Sequence, residues 1–130
     1  MMLDAIMLDS SVAIELLEGN AAAHSWIRQF PRLELSVVSI AELHFGAINS
    51  AYPAAELARL NSLVTDCVVI ELDSAAAIAY AELKLDLQCI GKRIPENDLW
   101  IAASCFARGL KLASVDRHHL WIARLSVVHW

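Results

Sequence analysis

The feature that most constrains this chain is the length of its apolar stretches, which are short, nearly unbroken and separated by segments of helical character. Ala5-Ile6-Met7-Leu8, Leu33 to Val38, Cys67-Val68-Val69-Ile70-Glu71-Leu72, Leu110 to Ala113 and Leu125 to Val128 read as strands. A strand with one face in water alternates apolar and polar residues, whereas apolar residues in succession belong to a strand covered on both faces. The intervening spacing predicts helices over Ser11 to Glu18, Ala21 to Gln29, Ser39 to Asn49, Pro53 to Leu63 and Ser74 to Cys89. One more is opened by Pro95 and ended by Gly109, and a short turn or helix follows around His118 to Ala123. Strands alternating with helices make an α/β fold: a three-layer α/β/α sandwich with a central, mostly parallel sheet.

With 58% hydrophobic and 19% charged residues, the chain has the composition of one continuous core. Pro31, Pro53 and Pro95 each punctuate a change of pattern, and no repeat or linker divides the sequence, so one domain over residues 1–130 is expected. No apolar run reaches the roughly 18 to 20 residues of a membrane span. Met1-Met2-Leu3-Asp4 lacks the basic start and apolar stretch of a secretory signal, which points to a soluble, cytoplasmic protein. Cys67, Cys89 and Cys105 form an odd set without C-x-x-C spacing and are expected to be buried, reduced thiols.

In sheets of this kind, functional groups gather where strands end and the following helices begin. That rule selects four of the fifteen acids. Asp9 ends the first strand, Glu42 falls in the first turn after the second, Asp98 follows Pro95, and Asp116 follows the Leu110 to Ala113 strand. Each also has a plain structural explanation. Ser39-x-x-Glu42 has the form of a capping box, Asp98 would favour a helix dipole, Asp9 would cap a helix, and Asp116 would serve a turn. Together on one rim they would repel each other unless a cation sat among them. Oxygen-only ligation suits Mg²⁺ or Mn²⁺, and the chemistry such an ion supports is phosphodiester hydrolysis. The five histidines show no zinc-binding spacing. A net charge of −5 does not announce a nucleic-acid partner, but acids that hold metal are neutralised in use.

Four segments carry a resemblance. Ile6-Met7-Leu8-Asp9-Ser10-Ser11-Val12-Ala13-Ile14 and Ser39-Ile40-Ala41-Glu42-Leu43-His44-Phe45-Gly46-Ala47 resemble the first two motifs of PIN-domain ribonucleases. Ile94-Pro95-Glu96-Asn97-Asp98-Leu99-Trp100-Ile101-Ala102-Ala103 is similar to the third, and Leu112-Ala113-Ser114-Val115-Asp116-Arg117-His118-His119-Leu120 to the last. In length and the lack of an appended domain the chain resembles the toxin half of a VapBC-type toxin–antitoxin pair. The resemblance implies a Mg²⁺- or Mn²⁺-dependent endoribonuclease acting on structured RNA such as tRNA or rRNA. It also implies inhibition by a small antitoxin and a homodimer. It assigns metal binding to Asp9, Glu42, Asp98 and Asp116, a supporting hydroxyl to Ser114, and a lesser polar role to Asn97. Ser10 and Ser11 stand where Thr and Asn are commoner, and Leu120 where an aromatic is usual; no carboxylate is affected.

The competing readings are a catalytically silent PIN-like module that binds RNA or protein, and a phosphoryl receiver, for which no lysine follows a strand suitably. Lys84, Lys92, Arg93 and Arg117 could border the rim, although a charged run is commonly a solvated loop. His118-His119 reads as an exposed turn. The four tryptophans are too scattered to announce a stacking platform. Trp100 reads as core or dimer surface, and an apolar strip near Trp26, Phe45 and Ala51 is a candidate for a partner helix or a second subunit.

Overall fold

The computed structural model describes residues 5–130; Met1 to Asp4, which entered the reading of the N-terminus, lie outside the described residues. Five strands form one sheet: β1 (Ala5–Leu8), β2 (Arg32–Ser36), β3 (Cys67–Ile70), β4 (Leu112–Ala113) and β5 (Val127–Val128). Their order is β3-β2-β1-β4-β5 and every pairing is parallel, so the expected mostly parallel sheet is parallel throughout. Six helices flank it: α1 (Ser10–Leu17), α2 (Ala21–Ile27), α3 (Val37–Ile48), α4 (Pro53–Thr65), α5 (Ser74–Cys89) and α6 (Glu96–Ala107). A 3-10 turn, Arg117–Trp121, joins β4 to the last strand. Among the described residues no helix is long and apolar enough to cross a membrane.

The alternating orientation of β1 explains the two cores. Met7 joins one cluster with Leu83, Leu99 and Ile101 of α5 and α6, while Ile6 and Leu8 join another with Val12 and Leu16 of α1. Successive side chains of a strand point to opposite faces, so a strand buried on both sides must be apolar without a break. Glu34 of β2 is the exception. Only 1% exposed, it is clamped by Arg108 at the end of α6, whose Nη2 donates at 2.9 Å, and by Arg32, whose Nε lies 3.0 Å away. Paired on both oxygens, a buried carboxylate is tolerated.

Several expectations are corrected. The second strand stops at Ser36 rather than Val38, because the Ser36 hydroxyl accepts from Val38 N at 3.1 Å and caps α3 two residues before a start at Ser39. Ser39 is therefore buried inside the helix and Glu42 lies in its second turn, so the Ser39-x-x-Glu42 capping box does not form. β3 is an edge strand that leaves Val68 41% and Val69 38% exposed, and is not covered on both faces. All three cysteines are free thiols, as expected, but only Cys105 is buried. Cys89 is exposed because it falls off the buried stripe Ala79, Leu83, Leu87 of α5. Of the proposed apolar strip, Phe45 is 65% exposed, whereas Trp26 packs beside Phe30 and Trp130. Trp100 stacks on Tyr80, with ring centroids 4.0 Å apart.

Candidate active site

β1 is central, and the chain leaves it in opposite directions to β2 and β4; such a reversal opens a crevice at the carboxyl ends of the strands. The register pairs Leu8 with Ala113, so the next residues, Asp9 and Ser114, become neighbours although 105 positions apart. The Asp9 amide donates to the Ala113 carbonyl at 2.9 Å and fixes this approach.

Asp9 is only 2% exposed. A carboxylate so placed needs donors. Its Oδ2 accepts from Ser11 Oγ at 2.6 Å, Ser114 Oγ at 2.9 Å and Ser11 N at 3.4 Å, the last being the cap of α1. Its Oδ1 lies 3.3 Å from His119 Nε2. Burial pushes the Asp9 pKa up, but the hydrogen bond and charge of His119, with the two hydroxyls, outweigh it and hold the carboxyl below its ordinary value. Burial likewise opposes a charged imidazole at His119. The Asp9 hydrogen bond and the charges of Asp9, Asp98 and Asp116 prevail, and its pKa is raised.

Ser114 also accepts from the Asp116 amide at 3.0 Å, so one hydroxyl holds Asp9 and the backbone of Asp116 together. Asp116 caps the 3-10 turn by accepting from His118 N at 3.0 Å, with His118 Nδ1 3.1 Å from the same oxygen. Asp98 stands in the first turn of α6. Burial, then the charges of Asp9, Asp116 and Glu42, eased by His119, push its pKa up to about 6. Glu42 accepts from Ser10 Oγ at 2.7 Å and from Asn97 Nδ2 at 3.3 Å.

Two groups of potential ligands meet at Asp98. Asp9, Asp98 and His119 can each present one atom within 4.8 Å of the others, and so can Asp98, Asp116 and His118. Among the described residues Glu42 belongs to neither group; its carboxylate is turned to Ser10 and Asn97, next to Asp98 in sequence. The structure thus brings Asp9, Asp98, Asp116 and Ser114 together, and attaches Glu42 through hydrogen bonds.

The largest surprise is His119. Expected in an exposed turn, it is completely buried. The 3-10 turn has a period of three, which puts His119 on the inner side with Ile122, while Leu120 is 66% exposed. An acid-capped turn followed by inward residues three apart was the available signal. Ser10 and Ser11 were read only as departures from a motif; their positions directly after the Asp9 cap of α1 were the clue to their roles.

An oxygen-rich cluster in which burial and the neighbouring acids push one carboxyl up to about 6 has the chemistry of a site for a hard divalent cation. Comparison with known proteins shows the family. The PIN domain family matches residues 6–125. "Ribonuclease VapC5" of Mycobacterium tuberculosis is 34% identical over 112 residues, covering 85% of this chain and 82% of that protein. "VapC ribonuclease Y4jK" of Sinorhizobium fredii is 32% identical over 136 residues, covering 95% and 96%. Among solved structures, VapBC-5 from Mycobacterium tuberculosis, a member of the VapBC family of toxin–antitoxin systems, superposes with a TM-score of 0.82 at 30% identity, covering 98% of this chain and 99% of that one. DNA-bound VapBC from Salmonella typhimurium gives 0.91 at 24%, covering 99% of each, which speaks to the fold.

Proposed function

Since the chain belongs to the PIN-domain family and its relatives are VapC ribonucleases, we propose that it is the endoribonuclease toxin of a type II toxin–antitoxin pair, one domain hydrolysing RNA phosphodiester bonds in the cytoplasm. The observation that carries this reading is the convergence of Asp9, Asp98 and Asp116 at the carboxyl rim of β1 and β4. Three acids brought this close repel one another, which a cation among them would relieve.

Asp9, Asp98 and Asp116 would hold Mg²⁺ or Mn²⁺, and Glu42 would complete the surround. Such an ion supplies Lewis acidity towards a phosphate oxygen and lowers the pKa of a water. The chain's own part is orientation. Ser11, Ser114 and His119 lock both oxygens of Asp9, leaving the carboxylate one pose. Ser114 acts as a positioning residue, tying Asp116 to Asp9. Ser10 and Asn97 aim Glu42. Asp98, whose carboxyl is pushed up to about 6 by burial and by its acidic neighbours, would gain most from a cation there.

The substrate is RNA, of a structured class such as tRNA or rRNA; the partners are a small antitoxin and a second copy of the chain. The test is cleavage of RNA by purified protein. Asp9→Asn, which retains cap geometry, is expected to cut Mn²⁺-dependent cleavage at least a hundredfold with unchanged circular dichroism. Undiminished cleavage would remove Asp9 from the site.

A further inference from the structure

A trail of close contacts leads out of the acid cluster to a cleft that the site does not use. His118 Nδ1 lies 3.1 Å from Asp116, and its ring centroid is 5.2 Å from that of Trp121. Lys92 Nζ sits 4.8 Å above the Trp121 ring. Lys92 in turn lines a cleft of about 470 Å³ between α5 and the loop into α6, together with Lys84, Gln88, Arg93 and Glu96. Glu96, the first residue of α6, pairs there with Lys84 at 3.7 Å.

The distribution of charge makes this cleft unusual. Of the ten lysines and arginines, five stand in ion pairs. Among the described residues Arg28, Lys92, Arg93, Lys111 and Arg117 stand in none. Two of these five adjoin one cleft beside the acids, on a chain of net charge −5. RNA approaching an acidic protein is repelled by most of its surface, so unpaired cations next to the reactive rim carry more than their share of the attraction.

We propose that Trp121 and this cleft form the subsite for the single-stranded RNA segment flanking the scissile phosphate, with Lys92 and Arg93 on its phosphates and the indole under a base. The proposal rests on the ribonuclease reading given above. Trp121 is 36% exposed, enough to offer a face, and stacking on an indole is available to every base. The Lys92 ammonium covers that face in the free protein. A base entering over the ring takes its place, and the ammonium moves to the adjoining phosphate. One nucleotide then engages both groups, and neither selects sequence, so the subsite gives register and affinity along the strand.

The test is fluorescence anisotropy of a labelled 12-nucleotide single-stranded RNA, in an Asp98→Asn background that prevents turnover. Lys92→Ala with Arg93→Ala should weaken binding about tenfold and flatten the dependence of log K on log salt by about 1.4, at about 0.7 per lost phosphate contact. Trp121→Leu should weaken it about 5- to 100-fold, and Trp121→Phe should restore most of the loss. Arg28→Ala, at the end of α2 on the opposite rim, should stay within twofold. Mn²⁺ affinity by titration calorimetry, measured with Asp98 intact, should be unchanged in all four. Should the alanine pair melt early, Lys92→Gln with Arg93→Gln replaces it. Binding and salt dependence equal to the parent in the cleft variants would overturn the subsite while leaving the ribonuclease reading intact. A protein that cleaves no RNA but loses binding in these variants would sink that reading and keep the subsite.

Discussion

Replacing Asp98 by asparagine should silence the protein and, in the absence of metal, make it more stable. The Asp98 carboxyl ionises near pH 6 in the folded chain, against an ordinary value of 3.8, through burial and the charges of Asp9, Asp116 and Glu42. With the folded value raised, the native state binds the extra proton between about pH 4 and 6. Stability from this residue is therefore present at low pH and lost as pH rises through 6. A shift of about two units corresponds to about 3 kcal/mol. The side chain is only partly buried, and screening reduces this to about 1 kcal/mol. Asparagine keeps the shape and removes the charge, so at pH 7.5 in EDTA the variant should melt about 4 °C above the parent. At pH 3.5 the gain should vanish. With Mn²⁺ at a hundred times its dissociation constant the parent gains about 2.7 kcal/mol that the variant lacks, and the order reverses. A variant less stable than the parent in EDTA at pH 7.5, or a gain that persists unchanged at pH 3.5, would refute the reasoning.

His119→Ala should weaken Mn²⁺ binding about 10- to 100-fold by calorimetry, because one oxygen of Asp9 loses its partner, and should cost about 2 kcal/mol in urea denaturation. Arg108→Met leaves Glu34 with Arg32 alone and should destabilise the fold by about 2 kcal/mol without changing the KM for RNA. Gly109→Ala, at a φ of +68° just past the end of α6, should cost about 1 kcal/mol, read as a lower melting temperature at equal activity.

The layered fold was legible because burial on both faces leaves an unmistakable mark in β1, whose Ile6, Met7 and Leu8 are all apolar and all fully buried. The rim acids were legible for the same reason: once the strands are placed, topology dictates where Asp9 and Asp116 must lie. Hidden were features decided by one or two residues of register. Ser36 and Ser39 are both adequate caps, and only the end of β2 chooses between them. His118 and His119 are chemically identical, yet a tight turn sends one outward and the other against Asp9. Glu34 and Arg108 are 74 positions apart, so the clamp between strand and helix is a product of packing that local pattern does not reveal. Asp9 caps α1 with one oxygen and faces His119 with the other, so capping does not conflict with the metal-binding role proposed for it.

The edge strand β3 has a consequence for how this protein is handled and engineered. Cys67-Val68-Val69-Ile70 is uncharged, rich in β-branched residues, and pairs with a neighbour on one side only. Segments of that kind recruit further strands. Asp66 and Glu71, immediately before and after it, stand as gatekeepers against stacking between molecules. Replacing both with neutral residues would leave the enzyme's interior untouched and still yield a protein prone to precipitate, so surface-charge redesign should begin by sparing this pair.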